Sequence, residues 1–280
     1  MKKLKFHKMH GAGNDYIYVD ARKGKEVIKN PNELSIKVSD RHFGIGSDGL
    51  VLIMDSDVAD YRMRMFNADG SEAGMCGNAS RCVGKYLYDL GITTKEEISL
   101  ETKSGIKILK LTIKDSVVSS VCVDMEEPRL NPDEIPVLSD PSMGIKLNIE
   151  DTEYELTCVS MGNPHAVIFV DDVDNFPVER VGTLIENHPI FPERTNVEFA
   201  QVVSDKLIKM RVWERGSGET LACGTGACAT LVAASLNAKS TREATISLIG
   251  GDVKVAWCQE TNHVMLTGAA TWVFEGEYTI

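Results

Sequence analysis

A chain of 280 residues can fold as one large domain or two of ordinary size. Its 43% hydrophobic and 25% charged content is that of a globular protein rather than a disordered or fibrous one. The formal charge of −11, with no concentration of basic residues, argues against nucleic acid or an anionic membrane as partner and leaves small metabolites open.

The amino terminus, MKKLKFHKMH, is basic but has neither the apolar core of a signal peptide nor the Arg/Ser-rich character of a transit peptide. No apolar run reaches the length of a bilayer span. Short alternating or apolar runs predict strands at 4–9, 16–20, 50–54, 61–66, 98–101, 106–113 and 117–124. The same pattern resumes at 153–159, 166–170, 197–203, 207–213, 244–249, 252–257 and 263–267. Helical spacing appears at 33–42, at 178–188 after Pro177, and at about 78–90 and 225–237. The last two are small or apolar on nearly every face, which predicts helices enclosed by other structure. The segment Pro128–Pro141 holds four prolines and several acids and reads as a link between domains. GIGSDG at 44–49 matches GxGxxG, but the strand-like LVLIMD follows where a dinucleotide site needs a helix.

Two distant stretches are nearly the same. MRMFNADGSEAGMCGNASRC surrounds Cys76, and MRVWERGSGETLACGTGAC surrounds Cys223. GNDYIYVD at Gly13 has a counterpart in GNPHAVIFVDD at Gly162. The offsets agree, 149 positions from Asn14 to Asn163 and 147 from Cys76 to Cys223. An internal duplication with pseudo-twofold domains follows.

Seven scattered cysteines, an odd number, do not form a disulfide framework, and the cytosol is the natural compartment. The spacing lacks CxxC and a nearby histidine pair, so it argues against zinc. Cys122, Cys158 and Cys258 lie in strand patterns and Cys82 and Cys228 inside helices, where an inert core role is the ordinary one. Cys76 and Cys223 differ, since each precedes glycine and a helix start. There the sulfur lies near unpaired N–H groups and the positive end of the helix dipole, which favour thiolate and can hold a carboxylate. Two such ends facing one Cα would let one sulfur remove a proton while the other supplies one from the opposite side.

HGAGNDY, FNADGSEAGMCGN, MGNPH, TNVEF and WERGSGETLACGTGACA, in this order, resemble the diaminopimelate epimerases over almost the whole chain. The resemblance implies an α+β fold: two pseudo-symmetric domains, each a mixed sheet or barrel around a central helix. These are expected at 1–127 and 128–270, with strand 271–280 returning to the first. It implies an isomerase interconverting LL- and meso-diaminopimelate without cofactor or metal, on the route to lysine and cell-wall peptides. By matched motif, Cys76 and Cys223 resemble the acid/base pair. Gly77, Asn78, Gly224 and Thr225 resemble the helix-end groups that grip the reacting carboxylate. Asn14, Asn67, Asn163, Asn196, Glu214 and Arg215 resemble the shell around the rest of the substrate. His165 and Glu214 would set the protonation of the sulfurs. Ala79 and Gly49 depart from the common pattern, Gly49 at a place where some members carry glutamine. The expected partner is the small-molecule substrate, with neither nucleic acid nor membrane, and a homodimer is allowed. Two rivals stay open: a proline- or hydroxyproline-type two-thiol racemase, and a non-catalytic thiol-redox or anion-binding protein.

Overall fold

The computed structural model describes residues 3–25 and 28–280. The chain divides into two compact units, Met1–Val123 with Thr267–Ile280, and Asp124–Leu266. The boundaries thus fall at 123 rather than 127 and at 266 rather than 270.

The first unit contains β1 (Lys3–Gly11), β2 (Asn14–Asp20), α1 (Pro31–Ser39), β3 (Gly49–Met54), β4 (Tyr61–Asn67) and β5 (Glu72–Ala73). It continues with α2 (Gly77–Asp89), β6 (Glu97–Thr102), β7 (Gly105–Lys114) and β8 (Val117–Asp124). The second contains β9 (Met143–Ile149), β10 (Thr152–Ser160), β11 (Pro164–Phe169), α3 (Val178–Glu186), β12 (Asn196–Ser204) and β13 (Leu207–Glu214). After these come β14 (Gly218–Thr220), α4 (Gly224–Leu236), β15 (Glu243–Leu248), β16 (Gly251–Trp257) and β17 (Val264–Gly268). The final strand, β18 (Thr271–Thr279), pairs antiparallel with β1 in the first unit.

The duplication is visible strand by strand. In the first unit β1 pairs antiparallel with β2, β2 parallel with β3, and β3 antiparallel with β4; β4 then pairs antiparallel with β5 and parallel with β6. In the second, β10, β11, β12, β13, β14 and β15 repeat this sequence of pairings in the same order. β9 lies beside β10 as β18 lies beside β1, so one half draws its flanking strand from the preceding residues and the other from the chain end.

The parallel pairs β2–β3 and β11–β12 are buried almost throughout, and their runs YIYV, LVLI, HAVI and NVEF are correspondingly apolar. One face of each sheet is covered by an outer helix. Leu34 and Val38 of α1 pack on Phe6, Ile17, Leu50 and Phe66. Val178, Val181 and Ile185 of α3 pack on Leu147, Leu156, Ile168 and Phe199, each contributing about 1.5–3 kcal/mol. The central helices take the other positions, α2 against β1, β2 and β7, and α4 against β10, β11, β12, β13, β15 and β16.

Three features differ from the sequence-based expectation. Helix α1 ends at Ser39, because Asp40 leaves helical geometry and its Oδ1 accepts from the N–H groups of His42 and Phe43. The proline-rich segment is built into the second unit: Ile135 and Val137 join its core, and Arg129 bridges to Ser160. Helix α2 is enclosed, but it carries two buried cations. Arg81 donates to Asn78 Oδ1 at 2.9 Å, and Lys85 reaches the Val118 carbonyl and Asp89, each at 2.7 Å.

None of the seven cysteines is joined in a disulfide, and burial pushes the Cys82 thiol up to about 11 and the Cys158 thiol up to about 12, from 9.0. Below pH 9 both stay protonated whether folded or not. Above it the unfolded chain loses protons that the folded chain keeps, so stability falls as pH rises towards 11–12. Urea unfolding should therefore show a loss of roughly 2 kcal/mol per thiol between pH 8 and 10.5. Cys158→Ala should remove its share of that slope. An unchanged slope in the variant would contradict the assignment.

Candidate active site

Each half presents its cysteine in the same way. Cys76 and Cys223 are the N-cap residues of α2 and α4, both extended, with φ/ψ of −139°/123° and −116°/110°. Each N-cap carbonyl starts its helix, Cys76 O accepting from Ser80 N and Cys223 O from Ala227 N, both at 2.9 Å. Gly77 and Asn78, and Gly224 and Thr225, are therefore first-turn residues whose N–H groups lack an intrahelical acceptor. Such groups form an anion-binding end. The turns before them are braced alike. Arg64 forks onto Glu72 at 2.7 and 3.0 Å, and Arg211 forks onto Glu219 at the same two distances.

The chemical surroundings differ. In the first unit the Cys76 thiol donates to Asn14 Oδ1 at 3.3 Å, an oxygen that also accepts from Asn78 Nδ2 at 3.3 Å. The Asn14 amide cannot turn over freely, because its Nδ2 donates to Asp48 Oδ2 at 2.8 Å. Asp48 is held in turn by Arg41 at 2.9 Å and the Asp15 N–H at 3.0 Å. Asn14, Cys76 and Asn78 are thus brought together. Asn67 ends β4, and its Nδ2 donates to Ser71 Oγ at 3.0 Å in the following turn. Gly49, beside Asp48, has no room for a side chain: a Cβ there would lie 2.0 Å from the Phe66 carbonyl oxygen and 2.9 Å from Tyr16. No side chain can be accommodated here unless this backbone shifts.

In the second unit Cys223 Sγ accepts from Gly226 N–H at 3.4 Å and lies 3.4 Å from Thr225 Oγ1. Asn163 Nδ2 donates to Thr225 Oγ1 at 3.3 Å, and Asn163 Oδ1 meets His165 Nε2 at 3.1 Å. His165 Nδ1 is 2.7 Å from Glu198 Oε1, both side chains being fully buried. Glu214 accepts from the Thr220 hydroxyl. Asn196 is a brace, its Nδ2 donating to the Pro164 carbonyl at 2.8 Å and its Oδ1 accepting from Arg215 N–H at 3.0 Å. The Arg215 guanidinium is held by the Glu193 carbonyl at 2.7 Å. Below this turn Glu186 accepts from Trp213 Nε1, Gly216 N–H and Arg194. Helix α3 reaches it because Gly182 lets the helix lie against Trp213, where a Cβ would come within 2.6 Å.

Burial pushes the Cys223 thiol well above its ordinary range, with Glu214 and Glu198 pushing the same way; Thr225 and Gly226 N–H pull against them. The helix end alone predicts a lowered thiol, but desolvation and two carboxylates outweigh it. Burial also raises the Glu214 carboxyl, against the pull of Thr220 and His165.

His165, Glu198 and Cys223 offer a nitrogen, an oxygen and a sulfur within 4.8 Å of one another, a donor set able to hold a metal. In the present arrangement the His165 and Glu198 atoms are joined to each other by a hydrogen bond. Sequence reasoning passed over Glu198 and Asp48. Glu198 was signalled as a lone acid in the apolar run NVEFA, and Asp48 stood inside the glycine-rich stretch that resembled a dinucleotide motif.

The fold, a duplicated mixed sheet with two central helices, is one that solved structures, an epimerase among them, share. The whole fold matches a phenazine biosynthesis protein of the PhzF family from Bacillus anthracis at TM-score 0.75, with 19% identity and all of both chains covered. It matches a hydroxyproline epimerase from Agrobacterium vitis at TM-score 0.69, with 15% identity, covering 99% of this chain and 91% of that one. A sequence profile described as diaminopimelate epimerase matches residues 6–131 and 157–273. A diaminopimelate epimerase of Methanococcus maripaludis is 58% identical over 279 residues, covering 99% of this chain and 100% of its own. Another, from Acetivibrio thermocellus, is 58% identical over 276 residues and 98% of both chains. The chain belongs to the diaminopimelate epimerase family.

Proposed function

We propose that the protein interconverts LL- and meso-diaminopimelate by proton transfer at Cα, with Cys76 and Cys223 as the two acid/base groups. The observation that carries this reading is the matched N-cap position of the two cysteines, one in each half of a chain of this family. One sulfur, as thiolate, takes the Cα proton and becomes a thiol; the other, a thiol, gives its proton to the opposite face and becomes a thiolate. The stereocentre inverts, and the reverse reaction exchanges the two roles.

The first-turn N–H groups at Gly77, Asn78, Gly224 and Thr225 supply donors for the reacting carboxylate, where charge builds up as the proton leaves. Asn14 orients the Cys76 thiol. His165 and Glu214 control the polarity around Cys223. Arg215, whose planar fork suits a carboxylate, and Asn67 and Asn163 serve the rest of the substrate; Asn196 serves by fixing the backbone of Arg215. No cofactor has a role in this chemistry. The reaction belongs to the formation of lysine and cell-wall precursors, and the reduced cysteines suit the cytoplasm. No helix among the described residues is long and apolar enough to cross a membrane. A homodimer is compatible with the proposal and unnecessary to it.

The test is turnover of LL-diaminopimelate, proline and hydroxyproline by the same preparation, followed by chiral chromatography. Diaminopimelate should be epimerised and the two cyclic amino acids left unchanged. Turnover of proline or hydroxyproline without diaminopimelate would overturn the substrate assignment.

A further inference from the structure

Arg215 lies on the turn between β13 and β14, whose residues 215–217 belong to neither strand. The three backbone N–H groups of this turn have three different acceptors. Ser217 donates to the Glu214 carbonyl at 3.0 Å, Arg215 to Asn196 Oδ1 at 3.0 Å, and Gly216 to Glu186 Oε1 at 3.1 Å. Two of the three acceptors are side chains from other elements of the second unit, so the path of the turn depends on them. The Asn196 amide has a single orientation, because its other partner is the Pro164 carbonyl, which can only accept. Glu186 holds more than the one bond. Its Oε1 also accepts from Arg194 at 2.9 Å, and its Oε2 accepts from Trp213 Nε1 at 2.7 Å. Arg194 directly follows Glu193, whose carbonyl holds the Arg215 guanidinium at 2.7 Å. One carboxylate therefore ties down both the backbone beside Arg215 and the segment that holds its side chain.

Every contact of Glu186 runs from an N–H group to a carboxylate oxygen, so none depends on a tautomer or on an amide orientation. Its placement is not one that the helix favours. Glu186 is buried and is the last residue of α3, where the helix dipole disfavours an anion. The tertiary partners, rather than the helix, account for it. We propose that Glu186 is a positioning residue, which sets the direction of the Arg215 guanidinium and thereby its grip on the carboxylate at the non-reacting end of the substrate. This rests on the epimerase reading for the substrate, but not for the geometry of the turn. Such a grip acts alike before and during proton transfer, so its loss weakens binding and leaves the chemistry at the cysteines nearly untouched.

The experiment measures kcat and KM for diaminopimelate in wild type, Glu186→Gln, Arg215→Ala and the double variant, with 1H–15N NMR spectra of the same proteins. Glutamine matches glutamate in size but offers one acceptor oxygen where Glu186 uses two, so either orientation of its amide sets N–H against N–H. Glu186→Gln should raise KM about 10-fold and change kcat by less than about threefold. Added to Arg215→Ala, it should raise KM by less than about twofold more, because the group it acts through is already gone. A KM within about twofold of wild type, a loss mainly in kcat, or a full rise on top of Arg215→Ala overturns the proposal. If Glu186→Gln fails to fold, Arg194→Ala takes its place, since that side chain is 53% exposed. Its KM should rise about threefold at constant kcat, and an unchanged KM overturns the proposal. If the wild type itself fails to turn over diaminopimelate, the epimerase reading falls and the NMR signals still decide the role of Glu186. The Trp213 indole and Gly216 amide signals should be displaced in Glu186→Gln; signals coinciding with those of wild type would refute the tie.

Discussion

Alanine at Cys76 or at Cys223 is expected to remove epimerisation almost completely, by at least about 10³-fold in kcat. Each substitution deletes a group that must hold or deliver a proton in the transition state, and no neighbour can take its place. The Cys76 thiol donates to an amide oxygen, which does not titrate, and nearby Cys82 and Tyr18 are held protonated by burial. Those next to Cys223 are a hydroxyl, His165 and two carboxylates, the last three engaged with other partners. The loss should not arise from unfolding. Cys76 makes no side-chain cap bond, and the cap at Cys223 is a single 3.4 Å contact from Gly226 N–H, worth about 1 kcal/mol at most. Cys122→Ala and Cys258→Ala, in partly buried strand and turn positions, serve as controls and should retain wild-type turnover. Circular dichroism and kcat on the four variants decide the matter. Either N-cap variant working within tenfold of wild type would show that its sulfur is not an acid/base group.

Much of the architecture was legible in the sequence because the duplication exposes it. Strands such as YIYV and LVLI announce burial on both faces, and Cys-Gly before a small-residue run announces an N-cap cysteine and an enclosed helix. What escaped were features set by tertiary partners. The strand Met143–Ile149, just past the proline-rich segment, alternates exposed and buried residues but was not among the expected strands; Ile135 and Val137, within the expected link, enter the core in spite of its prolines. Arg81 and Lys85 look like surface residues until their carbonyl and carboxylate partners are known.

At the candidate site, residue identity was readable and protonation was not. The N–H donors beside Cys223 are local in sequence. The effects that outweigh them come from Glu198 and Glu214 on neighbouring strands and from burial, which no short segment reveals. Asn196 shows the same limit. Its place in TNVEF marks it as a substrate group, and the two backbone partners that its amide also holds are not legible there. The Asp48 carboxylate that fixes Asn14 is 34 residues away in the chain.

The claim beneath this account is that the hydrogen removed from Cα and the hydrogen returned to it travel through different sulfurs. Wild-type protein turning over LL-diaminopimelate in deuterated water, stopped within the first few per cent of conversion, tests this directly by mass spectrometry. Every newly formed meso molecule should carry one solvent deuterium at the inverted carbon, while the unreacted LL pool stays unlabelled. Early meso product retaining the original hydrogen would mean that a single group carried it across, contradicting the two-sulfur account.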